Sequence, residues 1–98
     1  MFDKPKLSEP NEAGYQFGID ASLTEYAHKE QENSGNPLPA VDISVLQVWK
    51  DDKLVTYLLV DDRNNVAIDE AIGYEAAAVA IDKYKLLKKF DGSNNVEV

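Results

Sequence analysis

The residues with the most chemical potential in this 98-residue chain are carboxylates that come in adjacent pairs: Asp51-Asp52, Asp61-Asp62 and Asp69-Glu70. Carboxylates gathered at one place can hold a hard cation, or they can meet a basic surface on another molecule. The stretch Asp61-Asp62-Arg63-Asn64-Asn65 has the outline of a calcium loop. Started at Asp62, however, that loop has Ala67 where the sharp-turn glycine belongs and Gly73 where the bidentate glutamate belongs, so the match fails. A looser Mg²⁺ site would need Asp42, Asp61, Asp62 and Asp69 or Glu70 at one end of a sheet. Solvated loop acids are the commoner outcome, and no metal or other cofactor is expected. Asp51 and Asp52 fall at the other end of a strand, roughly 20 Å away at ~3.3 Å per residue.

His28 is the single histidine and there is no cysteine, which removes the usual transition-metal sites, thiol nucleophiles and disulfides. No serine has an evident base, and Gly14 and Gly18 lack the lysine and third glycine that cradle a phosphate. Lys83, Lys85, Lys88 and Lys89 form one basic cluster. At the end of a helix such cations complement the dipole, and their stems cover apolar neighbours. Trp49 and Tyr57 read as packing residues, because no basic groove accompanies them.

The elements that must position these groups follow from periodicity. Tyr15, Phe17 and Ile19 alternate with Gln16 and Gly18, the pattern of a short half-buried strand. Ser22 and Glu25 form a capping-box pair that would open a helix with Leu23, Tyr26 and Ala27 on its apolar stripe. Asn33 to Pro39 is loop. Residues 41–60 predict a hairpin turning at Lys50-Asp51-Asp52-Lys53, with Trp49 opposite Leu54, Val45 opposite Leu58 and Ile43 opposite Val60. One face would carry Val41, Ile43, Val45 and Trp49. The other would carry Leu46, Val48, Val55, Tyr57 and Leu59, so neither face is polar and each needs a cover. Val66 and Ile68 predict a third strand ending near Asp69-Glu70; the rival reading is one helix from Val66, weakened at Gly73. A helix from about Tyr74 to Phe90 places Ala77, Ala80, Ile81, Tyr84 and Leu87 on its buried stripe, and Gly92 would stop it. That helix covers one sheet face. The strand and helix of residues 15–28 are expected to fold over the second, with a partner or second copy as the alternative cover.

Length allows one domain, and 44% hydrophobic with 29% charged residues is ordinary for a globular chain. Eighteen acidic against ten basic residues give a net charge of −8, which opposes direct binding to nucleic acid or to an anionic membrane. No secretory signal or membrane-spanning stretch is present, and a cytoplasmic location is expected. The fold class expected is α+β, a small antiparallel sheet packed by the C-terminal helix. Residues 1–12 would be a flexible arm, 13–91 the domain and 92–98 a flexible tail. The function expected is a non-enzymatic protein-binding domain, an inhibitor or phosphate mimic occupying a basic, nucleic-acid-binding site on another protein. Asp51, Asp52, Asp61, Asp62, Asp69 and Glu70 would make that contact. The alternative is a structural subunit of a homo-oligomer, such as a homodimer, using the face of Leu46, Val48, Val55, Tyr57 and Leu59.

Overall fold

Alternation and turn chemistry in residues 41–71 produce the frame. The computed structural model describes residues 4–32 and 37–97, with 91–97 as backbone only. Strand β1 (Tyr15–Ile19) leads into helix α1 (Ala21–His28), and β2 (Ile43–Lys50), β3 (Lys53–Asp61) and β4 (Val66–Ala71) form a meander before helix α2 (Tyr74–Glu97). The four strands pair antiparallel in the order β1-β2-β3-β4, giving a small α+β domain. The β2–β3 turn is Asp51-Asp52, both with positive φ (52° and 64°). That backbone matches a two-residue hairpin loop whose twist suits the strands, and aspartate tolerates it. Gly73, at φ 101°, breaks the chain between β4 and α2, so the rival helix from Val66 does not form.

The hairpin register differs from expectation beyond Trp49. Trp49 does pair with Leu54, but Val48 pairs with Thr56, leaving Val55 as an extra residue. From there every partner moves by one: Val45 faces Leu59 rather than Leu58, and Ile43 faces Asp61 rather than Val60. A bulge shifts which side chains share a face. Tyr57 and Leu59 therefore join Ile43 and Val45 in the core, at 2% and 0% exposure, instead of standing with Leu46 and Val48. A second irregularity, between Leu59 and Val60, leaves Ile68 extra in β4.

Both helices lie on one side of the sheet. Leu23 and Ala27 of α1, and Ala77 and Ile81 of α2, pack into a single buried cluster with Ile43, Val45, Tyr57 and Leu59. The expectation that residues 15–28 fold over the second face is thus corrected: β1 extends the sheet edge, and α1 joins α2 in one layer. Asp20 rather than Ser22 caps α1, its carboxylate accepting from the Leu23 amide at 2.9 Å. The Ser22 hydroxyl sits 2.6 Å from the Tyr74 hydroxyl. The other Asp20 oxygen accepts from the Gln47 amide at 2.7 Å, and Gln47 accepts from the Trp49 indole at 2.9 Å. All three residues are buried, so this chain of bonds satisfies polar groups that water cannot reach.

The described part of the arm, from Lys4, is tied to β1. Ser8 exchanges bonds with Phe17 through its amide and hydroxyl, and Lys4 lies 4.9 Å from the Trp49 ring. A Cβ on Gly18 would come within 2.9 Å of Pro5, Lys6 and Leu7, so the arm's passage requires glycine there. Helix α2 runs through Gly92 to Glu97 instead of stopping, since an interior glycine costs only about 1 kcal/mol relative to alanine. Within the expected loop, residues 33–36 lie outside the described ones, while Leu38 bridges back to Gln31.

Two measurements check this frame. Asp20→Ala removes the cap and strands the buried Gln47 amide, and should cost about 2–4 kcal/mol in chemical denaturation. Ser22→Ala should cost less than about 1 kcal/mol; equal losses would return the cap to Ser22. Gly18→Ala should lift the arm, speeding amide exchange at Ser8 while the amides of β2 and β3 keep their protection.

Candidate functional site

The six expected contact acids do not converge. Asp51 and Asp52 occupy the β2–β3 turn, and Asp52 lies 3.5 Å from Lys4. Asp61 and Asp62 stand at the opposite end of β3, where each already serves the backbone or a neighbour. Asp61 accepts from the Arg63 amide at 2.9 Å and the Asn64 side chain at 3.1 Å, closing the loop into β4. Asp62 accepts from the Ser44 hydroxyl at 2.6 Å and meets His28 Nε2 at 3.1 Å. Asp69 accepts from the Glu70 amide and pairs with Lys83 at 3.2 Å; these bonds hold its carboxyl below the usual carboxylate range. Among the described residues, no three histidines or carboxylates gather where they could hold a metal ion.

Ser44, Asp62 and His28 are the nearest approach to a nucleophilic set, and their order is wrong for one. A serine nucleophile needs the imidazole against its own oxygen. Here the hydroxyl donates to Asp62, and the imidazole lies across that carboxylate. The group locks α1 to the β2 and β3 ends.

The lysine cluster is also structural, through contacts that sequence did not reveal. Lys85 is fully buried, and its ammonium donates to the carbonyls of Tyr26 (2.8 Å) and Lys29 (2.7 Å) at the C-terminus of α1. Such carbonyls have no partner within their own helix. Lys88 donates to the Ala40 carbonyl and Lys89 to that of Pro37. Lysines from α2 thus clamp the segment that follows α1. Leu87, expected on the buried stripe, is 49% exposed, and Lys85 takes its place. A cleft of about 370 Å³ lies between α2 and the sheet, bordered by Ile43, Ile68, Tyr84 and Lys88. Its charges are engaged: Arg63 is 3.4 Å from Asp42, and Lys88 holds Ala40.

The surface left without a cover is the helix-free face of the sheet. Strand alternation and register assemble it in rows: Phe17–Val48–Thr56, then Ile19–Leu46–Leu58–Glu70, then Ser44–Val60–Ala67. Among the described residues no element lies over it. Val48 and Thr56 are shielded at its centre, Phe17, Leu46, Leu58 and Val60 are half-buried, and Ile19 is 56% exposed. Of the expected apolar interface, Leu46 and Val48 lie here, Val55 is the exposed bulge residue, and Tyr57 and Leu59 are in the core. Phe17 and Ile19 carried the alternation that could have placed them here; Leu58 and Val60 were concealed by the bulge.

Burial holds the hydroxyls of Tyr26, Tyr57 and Tyr84 above the usual tyrosine range, aided by Asp82, Asp20 and Asp69 respectively. The folded chain therefore retains protons that the unfolded chain loses near pH 10, so stability should fall as pH rises from about 10. Burial pushes Lys85 down, which acts in the opposite sense between its folded value and about 10.4. Absorbance titration of tyrosinate should show three late-titrating residues whose ionisation coincides with alkaline unfolding. Titration of all five tyrosines as one exposed class would contradict the burial.

Compared with protein-family models, curated proteins and solved structures, the chain matches none.

Proposed function

We propose that the chain is a non-enzymatic protein-binding domain whose contact surface is the helix-free face of the sheet. The observation that supports this reading is the apolar block of half-buried Phe17, Leu46, Leu58 and Val60 and exposed Ile19 around a shielded Val48, on the side of the sheet away from both helices. A contiguous apolar surface of this kind marks contact with another macromolecule more often than solvent exposure. Charged groups enter its rows only at the margins, with Lys50 and Lys53 at the turn end and Glu70 at the β4 edge. An interface needs such an arrangement, because its centre must lose water without leaving a charge unpaired.

An acidic inhibitor acting on a basic partner has less support. Asp52, Asp61, Asp62 and Asp69 already have partners within the chain, and the pairs lie at different ends of the sheet. In the proposed role the net charge of −8 keeps the domain soluble and disfavours random association.

The test compares two double variants in capture experiments from the source lysate at low and high salt. Leu46→Lys with Leu58→Lys should leave the circular dichroism unchanged and abolish retention of the partner at both salts. Asp61→Asn with Asp62→Asn, which removes both charges but keeps an oxygen to accept the loop and Ser44 hydrogen bonds, should change retention by less than about threefold, as expected of charges outside an interface core. The opposite pattern would replace the apolar reading with the acidic one.

A further inference from the structure

We infer that the occupant of the helix-free face is a second copy of this chain, packed sheet against sheet about a two-fold axis. This inference rests on the protein-binding reading above and adds the identity of the partner.

The size of the face is the first argument. Four strands spaced ~4.8 Å apart, with central strands of eight and nine residues, make a face roughly 15–19 Å by 26–30 Å. Two such faces closing on each other remove on the order of 1,000 Å² from water, the least area expected of a specific interface. Shape is the second. The face is a run of side-chain rows, whereas the clefts bordered by Tyr84 and by Tyr26 and Tyr74 both lie on the helix side. An apolar sheet face without a cleft is matched by another sheet packed about 10 Å away. The product is a layered helix–sheet–sheet–helix assembly, in which each sheet is covered on both sides.

Charge is the third argument. A chain of net charge −8 repels its copies over most of its surface, and repulsion is smallest where carboxylates are fewest. On this face the carboxylates stand at the rim, Glu70 on the β4 edge and Asp62 against the Ser44 hydroxyl, with Lys50 and Lys53 at the turn end. The edges of the sheet offer a copy less. On β4, the Ile68 carbonyl accepts from the Tyr84 hydroxyl at 3.2 Å, and the Glu70 amide is held by the Asp69 carboxylate at 2.8 Å. On β1, the Phe17 amide and carbonyl are held by Ser8. Groups engaged in this way do not template a further strand, so the face is the route open to self-association.

Sedimentation equilibrium of the purified chain across micromolar to millimolar concentrations tests the inference. The expected result is a mass twice that of the 10.9 kDa chain, reached at micromolar concentration and no weaker at high salt. Leu46→Lys with Leu58→Lys should weaken the dimer by about a hundredfold or more. Mixing a Leu46→Lys chain with a Leu46→Glu chain should restore part of the association that each lacks alone. Should the variants misfold, concentration-dependent amide shifts in the unaltered chain must centre on Ile19, Leu46 and Leu58.

A wild-type chain that stays monomeric throughout, while the double variant still loses its captured partner, overturns the second-copy inference and leaves the protein-binding reading standing. A monomer whose variant captures partners normally overturns both. A dimer that the leucine variants leave intact uses another surface and likewise overturns the inference.

Discussion

The architecture depends on Asp20. Its two carboxylate oxygens face different elements, one holding the first turn of α1 and the other the Gln47 amide on β2, with the Trp49 indole bonded beyond. Its own amide donates to the Val45 carbonyl at 2.8 Å, and Thr24, one turn on, accepts from the Val45 amide. The β1–β2 ladder ends at Ile19 and Leu46, so these bonds continue along β2 the pairing that β1 gives up. A helix N-terminus, a strand edge and an indole are thereby satisfied among buried groups, where each unmade bond would cost about 1–3 kcal/mol. The position of α1 follows, and with it the gathering of both helices on one side.

Charge serves the same end in the second half of the chain. Lys85, Lys88 and Lys89 reach from α2 to backbone carbonyls between Tyr26 and Ala40, so the basic cluster acts as a clamp. Asp61 closes a loop and Asp62 joins Ser44 to His28. An acidic chain with a basic cluster looks electrostatically functional when read as text. Folded, many of those groups have partners at home, which lowers what they can offer a ligand. The apolar face, by contrast, has no partner among the described residues, and the functional reading moves there.

That move depends on two single-residue events. The extra residue at Val55 turns Tyr57 and Leu59 under the helices and sends Leu58 and Val60 to the open side. At the extra residue in β4, the Ile68 carbonyl accepts from Tyr84 and the neighbouring Glu70 amide donates to Asp69. Without the first bulge the open face would carry Val55, Tyr57 and Leu59 in place of Thr56, Leu58 and Val60. The proposed contact surface is therefore a product of register as much as of composition.

Residues close in sequence were enough to determine the strand at Tyr15–Ile19, the hairpin turning at Asp51-Asp52 and the helix beginning at Tyr74, while residues 66–71 could still be read as strand or helix. Period-2 alternation, paired turn residues and an alanine-rich stripe are properties of neighbours along the chain. The cap at Asp20, the burial of Lys85 and the face of the sheet on which Tyr57 lies were decided by tertiary structure. Each depends on a group many residues away: Gln47 for Asp20, the end of α1 for Lys85, and Val48 opposite Thr56 for the bulge. A buried polar group takes whatever partner the packed chain brings within reach, and a strand has two faces that one inserted residue exchanges. Local pattern therefore determined which elements form, while their assembly chose which surface remained open to another molecule.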